Sequence, residues 1–118
     1  MSKPLVSVIV PTYNYGHYIE ETLASIEAQS FQDWECIVVD NGSTDDTKVI
    51  AQKWIDRDSR FRYIAIAHGT ISKCRNAGLA EFRGDFIQFV DADDQIATGK
   101  LENQLRLFNA HKEASIVY

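Results

Sequence analysis

The chain has 118 residues, 45% of them hydrophobic, which suffices for one globular core and gives no support to a second domain. Its 12 basic and 17 acidic side chains give a formal net charge of −5, without a basic stripe that would neutralise nucleic-acid phosphates. The apolar run at residues 5–10 is too short for a signal peptide or a membrane span. We therefore expect a cytoplasmic protein that does not bind nucleic acid, with a peripheral position at the inner face of the membrane as an alternative.

Short apolar runs alternate with segments of helical periodicity along the chain. The runs predict strands at residues 6–10, 35–40, 61–67 and 85–90, with the start of another at 114–118. The periodic segments predict helices at residues 18–29, 44–55, 71–82 and 97–111. This alternation is typical of an α/β fold in which a mainly parallel sheet has helices on both faces. Because a domain seldom ends on an unprotected apolar strand, we expect more of the domain to follow Tyr118.

Two of the predicted helices have a specific expected packing. In the second helix, Ser43 and Asp46 fit a capping box. The residues of this helix expected to point inward are Val49, Ile50 and Trp54. The residues of the third helix that its spacing aligns on one face are Ile71, Cys74, Gly78 and Phe82.

Ligands of open α/β sheets bind outside the carboxyl ends of the strands, so the loops there are the candidate site. The first of these loops lacks G-x-G-x-x-G, which leaves a dinucleotide site of the Rossmann type without support. It has instead an aromatic ring that can stack on a nucleobase and an amide that can fix the loop, in the run Pro11, Thr12, Tyr13 and Asn14. A plain turn with a packed tyrosine is the alternative, and this loop alone favours it.

The second and third loops add polar groups with two interpretations each. Asp40 and Asn41 end a strand, where a side-chain oxygen can accept the N–H of a base or a ribose hydroxyl. Capping of the next helix is an equally supported interpretation of this segment. Arg75 lies one turn into the third helix and can reach a base carbonyl or a phosphate. The alternative for Arg75 is an ordinary surface position.

The fourth loop has the sequence Asp91-Ala92-Asp93-Asp94 directly after a buried strand. Asp91 and Asp93 have the same parity, so on an extended backbone both point the same way. Two converging carboxylates offer the oxygen ligands that Mg²⁺ and Mn²⁺ prefer. Asp94 has the other parity and is expected either to hold the loop or to start the next turn. An acidic turn without a metal is the alternative, but the position opposite other polar loops favours a metal site.

Together, residues 6–47 and 72–95 resemble the nucleotide-binding half of family 2 glycosyltransferases, which have the Rossmann-like GT-A fold. The resemblance implies that Pro11, Thr12 and Tyr13 line the nucleobase pocket, with Asn14 in the same loop. It implies that a residue at the Asp40–Asn41 position accepts the uracil imide N–H and that Arg75 helps to hold the base or the diphosphate. It also implies that the D-x-D segment, Asp91-Ala92-Asp93, binds a divalent cation and the ribose–diphosphate.

The resemblance further implies an activity. Residues 1–118 would be the nucleotide-sugar-binding part of a GT-A domain in an inverting enzyme of polysaccharide or glycoconjugate synthesis. The implied donor is a UDP-sugar, or alternatively a dTDP-sugar, and the acceptor is an unidentified glycan or lipid-linked glycan. The base that deprotonates the acceptor is expected beyond residue 118, so no catalytic residue is assigned within the chain and the fragment alone is expected to be inactive.

The chain departs from the family pattern at three positions. Asn41 stands where the family usually has a second aspartate, the one expected to meet the base, and His68 stands where an N-x-G-x-S segment often begins. Cys74 replaces a commoner alanine, a small change with little expected consequence. Two other classes of protein are alternatives. A haloacid-dehalogenase-type phosphatase also uses D-x-D, but on its first strand. A receiver-like domain, which is not an enzyme, needs an aspartate pair after strand one, where this chain has Pro11 and Thr12.

Overall fold

The computed structural model describes residues 4–110 and 116–117, and the side chains of residues 4–107. The strands are β1 (Val6–Thr12), β2 (Trp34–Asp40), β3 (Phe61–Ala65), β4 (Phe86–Phe89) and β5 (Ile116–Val117). The helices are α1 (Gly16–Glu27), α2 (Thr47–Arg57), α3 (Ile71–Leu79) and α4 (Lys100–Ala110). The predicted alternation of strands and helices is confirmed. Within the described ranges, no helix combines the length and the apolar character needed to cross a membrane.

All five strands belong to one parallel sheet with the order β3-β2-β1-β4-β5. The chain builds outward from β1 through β2 to β3 and then returns to place β4 on the other side of β1. The strand order therefore reverses between β1 and β4. In open α/β sheets this switch point opens a crevice at the carboxyl ends of the strands, which is the usual place for a ligand.

The side chains of the sheet divide between two apolar layers, as the alternation of a strand requires. On one face, Val8 and Val10 of β1 pack with the inward sides of α1 and α2 and with Leu101 of α4. On the other face, Ile9 of β1 packs with Cys74 of α3. Helices therefore cover both faces of the sheet, as predicted.

The packing of α2 and α3 corrects part of the sequence prediction. Trp54 of α2 is buried as expected, but Val49 is 61% exposed. Since the buried positions of α2 are Thr47, Ala51 and Trp54, Val49 lies two residues, or about 200°, from the nearest of them and faces solvent. Ile71 is 52% exposed at the first position of α3. Phe82 is also exposed, because α3 ends at Leu79 and does not carry it against the sheet.

The predicted capping box is also wrong. Asp46 is the N-cap residue of α2 but makes no capping hydrogen bond with its side chain. Asp45 instead accepts a hydrogen bond from the Thr47 backbone N–H at 3.0 Å. The Ser43 hydroxyl accepts one from the Asn14 backbone N–H at 2.9 Å, so it serves the first loop and not the helix.

Gly78 lets α3 approach the sheet closely. A Cβ at this position would lie 2.6 Å from Ile9 Cγ2. Although alanine is the better helix former, Gly78→Ala is expected to lower the free energy of unfolding by about 1–3 kcal/mol, because overpacking outweighs propensity. Urea denaturation measures this change. Gly99→Ala, where the nearest atom to a Cβ is 3.6 Å away, is the control, and an equally or more stable Gly78→Ala variant would contradict the expectation.

The amino ends of the strands are joined by a buried polar network at the edge opposite the crevice. Glu35 of β2 accepts hydrogen bonds from the Ser7 hydroxyl and the Arg83 backbone N–H, both at 2.6 Å. Its other oxygen accepts one from Arg62 of β3 at 2.8 Å. The Ser7 hydroxyl in turn accepts the Gly84 N–H at 2.8 Å. One carboxylate thus ties three strands to the segment that leads into β4.

Candidate functional site

A cavity of about 260 Å³ lies at the carboxyl ends of β1 and β2, next to the turn after β4. It is lined by Pro11, Thr12, Tyr13, Tyr15, Asn41, Ile71, Cys74, Asp91, Ala92 and Asp93. The first strand, the second strand, the start of α3 and the acidic turn all contribute to it. The cavity therefore occupies the switch point of the sheet, where the topology predicts a ligand.

The first loop places an aromatic ring at the cavity. β1 continues through Pro11 and Thr12, which are both buried. Tyr13 follows and is 41% exposed, with its ring centroid 4.3 Å from that of His68. A half-exposed aromatic ring beside a cavity offers a face on which a planar ligand can stack.

Asn14 is not among the residues that line the cavity. Its φ of 54° lies in the left-handed region, which asparagine tolerates better than most residues. Its side-chain oxygen accepts the backbone N–H groups of Thr44 at 2.8 Å and Asp45 at 3.3 Å. Asn14 therefore ties the first loop to the second, so that both loops hold the cavity wall together.

Asp40 and Asn41, which are adjacent in sequence, point to opposite faces of the sheet. Asp40 is buried on the α1–α2 face and does not line the cavity. Its two oxygens accept the Ser43 backbone N–H at 2.9 Å and the Tyr63 hydroxyl at 2.5 Å. Burial, and then the hydrogen bond to Asp40 and its negative charge, raise the pKa of Tyr63, so the phenol stays a donor at neutral pH. Asp40 is thus held as a structural acceptor beneath the second loop.

Asn41 lies on the α3 face and does line the cavity. Its side chain pairs with the backbone of Gly69: Nδ2 donates to the carbonyl at 3.0 Å, and Oδ1 accepts the N–H at 2.9 Å. The Asn41 backbone N–H donates to the Thr12 carbonyl at 2.8 Å. The amide is therefore engaged by the loop between β3 and α3.

The turn after β4 brings three carboxylates together. Asp91, Asp93 and Asp94 each offer one oxygen, and these oxygens all lie within 4.8 Å of one another. Ala92, between the first two, is buried, and its carbonyl accepts a hydrogen bond from the Thr22 hydroxyl of α1 at 2.8 Å. A cluster of exposed carboxylates on a turn fixed in this way fits a divalent cation such as Mg²⁺ or Mn²⁺, which prefers oxygen ligands.

The carboxylate of Asp94 belongs to the cluster, which its parity did not predict. β4 ends at Phe89, so the acidic segment is a turn and the alternation of an extended strand does not apply to it. The Asp94 backbone N–H donates to the Asp91 carbonyl at 3.0 Å, which closes the turn. The backbone of Asp94 thus closes the turn, and its carboxylate joins the cluster.

A second cavity of about 260 Å³ adjoins the first and shares Asp91 with it. Arg75 lines this second cavity and not the first, and its guanidinium carbon lies 5.5 Å from the centre of the Phe89 ring. Its Nε is buried and has no hydrogen-bond partner in the part of the chain that the structure describes, and Lys100 at the start of α4 lines the same space. Among the side chains of residues 4–107, neither Arg75 nor Lys100 forms an ion pair. The second cavity therefore offers two cationic groups beside the carboxylate cluster.

Three residues of the first cavity were not predicted. Ile71 and Cys74 have helical spacing and suggest only core positions, while Tyr15 stands in a loop without a recognisable pattern. Burial raises the pKa of the Cys74 thiol, and this thiol donates to the Val39 carbonyl at 3.3 Å. Cys74 therefore lines the cavity as an uncharged thiol, which is a poor nucleophile.

Comparisons with known proteins agree with this architecture. The family model described as "Glycosyl transferase family 2" matches residues 7–118. The "Uncharacterized glycosyltransferase EpsJ" of Bacillus subtilis is 41% identical over 99 residues, which are 84% of this chain and 29% of that protein.

Two solved structures resemble the fold closely. S. aureus TarS 1-349 in complex with UDP matches with a TM-score of 0.84 and 35% identity over 92% of this chain. The mannosyltransferase PcManGT from Pyrobaculum calidifontis, in complex with GDP-Man and Mn²⁺, matches with a TM-score of 0.78 and 30% identity over 92% of this chain. The chain spans 33% of the length of each of these two structures.

Proposed function

Because the chain belongs to glycosyl transferase family 2, we propose that residues 1–118 form the nucleotide-sugar-binding part of a glycosyltransferase. The observation that carries this proposal is the cavity at the switch point, where an aromatic ring and a carboxylate cluster converge. Both suit a nucleotide sugar, because the ring offers a surface for its base and the carboxylates can hold a cation for its diphosphate. The UDP bound to TarS and the GDP-Man and Mn²⁺ bound to PcManGT support this assignment.

The lining of the two cavities suggests how the donor lies. The base stacks at the end formed by Pro11, Thr12 and Tyr13, and the diphosphate lies at Asp91 and Asp93. The far phosphate and the sugar extend into the second cavity, where Arg75 and Lys100 supply positive charge. Asn14 and Asp40 support the site indirectly, by holding the first and second loops.

The residues of the acidic turn would hold Mn²⁺ or Mg²⁺ through Asp91 and Asp93, with Asp94 as a further ligand. When bound, the cation supplies electrostatic stabilisation of the charge on the departing diphosphate. Arg75 and Lys100 add to this stabilisation from the second cavity. We propose a UDP-sugar as the first donor to test and a dTDP-sugar as the second.

Transfer to an acceptor hydroxyl with inversion also needs a base, which we place in a part of the protein outside these 118 residues. The acceptor we propose is a glycan or a lipid-linked glycan, in polysaccharide or glycoconjugate synthesis. Within the described residues, the polar groups of the site serve the donor, and none of them is assigned to deprotonate the acceptor.

Calorimetric titration tests the proposal. We expect UDP to bind the purified protein in Mn²⁺ or Mg²⁺, and removal of the cation with EDTA to weaken binding by about tenfold or more. The same titrations with dTDP and GDP rank the bases. UDP binding that is indifferent to EDTA would contradict the metal site, and absence of binding to any nucleoside diphosphate would contradict the proposed function.

The two alternative functions have readouts of their own. Release of phosphate from small phosphoesters would favour a phosphatase, and phosphorylation by acetyl phosphate would favour a receiver-like domain. The position of the acidic turn after β4, with Pro11 and Thr12 buried at the end of β1, supports neither.

A further inference from the structure

The side chain of Asn41 pairs with both backbone polar groups of one residue, Gly69, in a way that a carboxylate cannot reproduce. Gly69 presents a carbonyl at 3.0 Å from Asn41 Nδ2 and an N–H at 2.9 Å from Asn41 Oδ1. An aspartate would keep the hydrogen bond to the N–H but would set its second oxygen against the Gly69 carbonyl. A flipped amide would oppose both groups, so these contacts also fix the orientation of the amide.

This pairing holds the β3–α3 loop, which packs against Tyr13 through His68 and leads into Ile71; Tyr13 and Ile71 both line the first cavity. His68, the residue before Gly69, has its ring Nδ1 3.0 Å from the Asn41 carbonyl and its ring against that of Tyr13. The second loop also lies close to His68, because a Cβ at Gly42 would be 2.9 Å from the His68 backbone nitrogen. The φ of Gly42 is +76°, a conformation that favours glycine. Asn41 therefore connects the end of β1, the second loop and the β3–α3 loop around the Tyr13 ring.

We infer that Asn41 is a positioning residue for the nucleobase: it clamps the loop at His68 and Gly69 and so fixes the stacking face of Tyr13, and its side chain does not read the base edge. This inference rests on the proposed function, and it departs from the role that the family resemblance implies for position 41. The physical reason is that one N–H and one oxygen lone pair of the amide are bonded to Gly69, which holds the amide plane against the loop and prevents it from turning to present its donor and acceptor to a base edge. In this chain the base is held mainly by stacking, which every nucleobase permits.

Nucleotide binding distinguishes a clamp from a base reader. We expect Asn41→Asp and Asn41→Ala each to weaken UDP, dTDP and GDP binding in Mn²⁺ by about tenfold, with losses for the three that agree within about threefold. His68→Ala, which leaves the amide pair intact, is expected to weaken all three by about threefold. Asn103→Ala, exposed on α4, is the control and should bind like wild type. A loss confined to UDP and dTDP, which share the imide edge, would overturn the inference.

Amide hydrogen exchange tests the clamp without any nucleotide. We expect the Gly69 amide to exchange about tenfold faster or more in Asn41→Ala, while the amides of Val8 and Ile37 in the core of the sheet stay protected as in wild type. Asn41→Asp retains the oxygen that accepts the Gly69 N–H, so it should accelerate exchange of the Gly69 amide less than Asn41→Ala does. Unchanged exchange at Gly69 would overturn the clamp whatever the nucleotide results. If wild type bound no nucleotide, the proposed function would fail, and exchange at Gly69 would still decide whether the clamp exists.

Discussion

Replacing Asp91 and Asp93 together by asparagine is expected to abolish the metal dependence of nucleotide binding and to lower transferase activity by about a thousandfold or more. Both side chains line the cavity that also contains Tyr13, and their oxygens lie within 4.8 Å of each other. Asparagine keeps their size but removes the charge that attracts a divalent cation. The measurements are titration of UDP with and without Mn²⁺, and sugar transfer or donor hydrolysis by the full-length protein.

Two further variants show whether the loss is specific. Asp33→Asn removes an exposed carboxylate at the opposite edge of the sheet, before β2, and is expected to leave activity and Mn²⁺ affinity unchanged. Asp94→Asn is expected to weaken Mn²⁺ binding by about tenfold, since its carboxylate belongs to the same cluster. If the double variant still bound UDP in a metal-dependent manner, the assignment of Asp91 and Asp93 as ligands would have to be abandoned.

The course of the chain follows from local patterns that the sequence displays directly. Strands buried on both sides have continuous apolar runs, as in β1 and β2, and such runs stand out between amphipathic helices. The sequence also predicts which loops form the carboxyl edge, because all strands of a parallel sheet end at that edge. Asp91 and Asp93 do line one cavity, but they do so on a turn, so the parity of an extended strand is not the reason.

The fine structure of the site depends on contacts between loops, which sequence patterns do not display. Asp40 and Asn41 had the same expected role, yet a difference of one residue places them on opposite faces with different partners. Arg75 was expected at the base or the diphosphate, and it lies in the second cavity, 5.5 Å from the centre of the Phe89 ring. The pairing of Asn41 with Gly69 joins residues 28 positions apart, and no periodicity signals it.

The charged groups at the two edges of the sheet differ in how they are neutralised. At the carboxyl edge, exposed carboxylates line both cavities and two cationic side chains, Arg75 and Lys100, line the second, where a ligand can neutralise them. At the amino edge, the charge of Glu35 is matched within the chain by Arg62 and two further donors. The buried hydrogen bonds of Glu35 hold together strands that position the site. Substitution of Glu35 should therefore change stability, whereas substitution of Asp91 and Asp93 should change binding.

Glu35→Gln is therefore expected to lower the free energy of unfolding by about 2–4 kcal/mol at pH 7, a large share of a typical 5–15 kcal/mol. The two carboxylate oxygens accept from three donors, the Ser7 hydroxyl, the Arg83 N–H and Arg62. Glutamine has one oxygen, so its NH₂ group must face at least one of these donors and leave it unpaired. Glu81→Gln is the matched control, because Glu81 also contacts Arg62 but its side chain is 53% exposed. This variant should lower the free energy of unfolding by no more than about 0.5 kcal/mol.

The pH dependence of the stability lost in Glu35→Gln shows whether the charge of Glu35 is responsible. Burial alone would raise the pKa of Glu35, but the hydrogen bonds from Ser7, Arg83 and Arg62, with the charge of Arg62, outweigh it and hold the pKa below the ordinary 4.5. A carboxyl with a depressed folded pKa stabilises the protein above the unfolded value, and this contribution is lost as the pH falls through the folded value. The difference between wild type and Glu35→Gln should therefore be largest near pH 7 and shrink below about pH 4.5. Urea denaturation at several pH values measures it, and a difference that stays constant from pH 7 to pH 3 would mean that lost packing, and not lost charge, destabilises the variant.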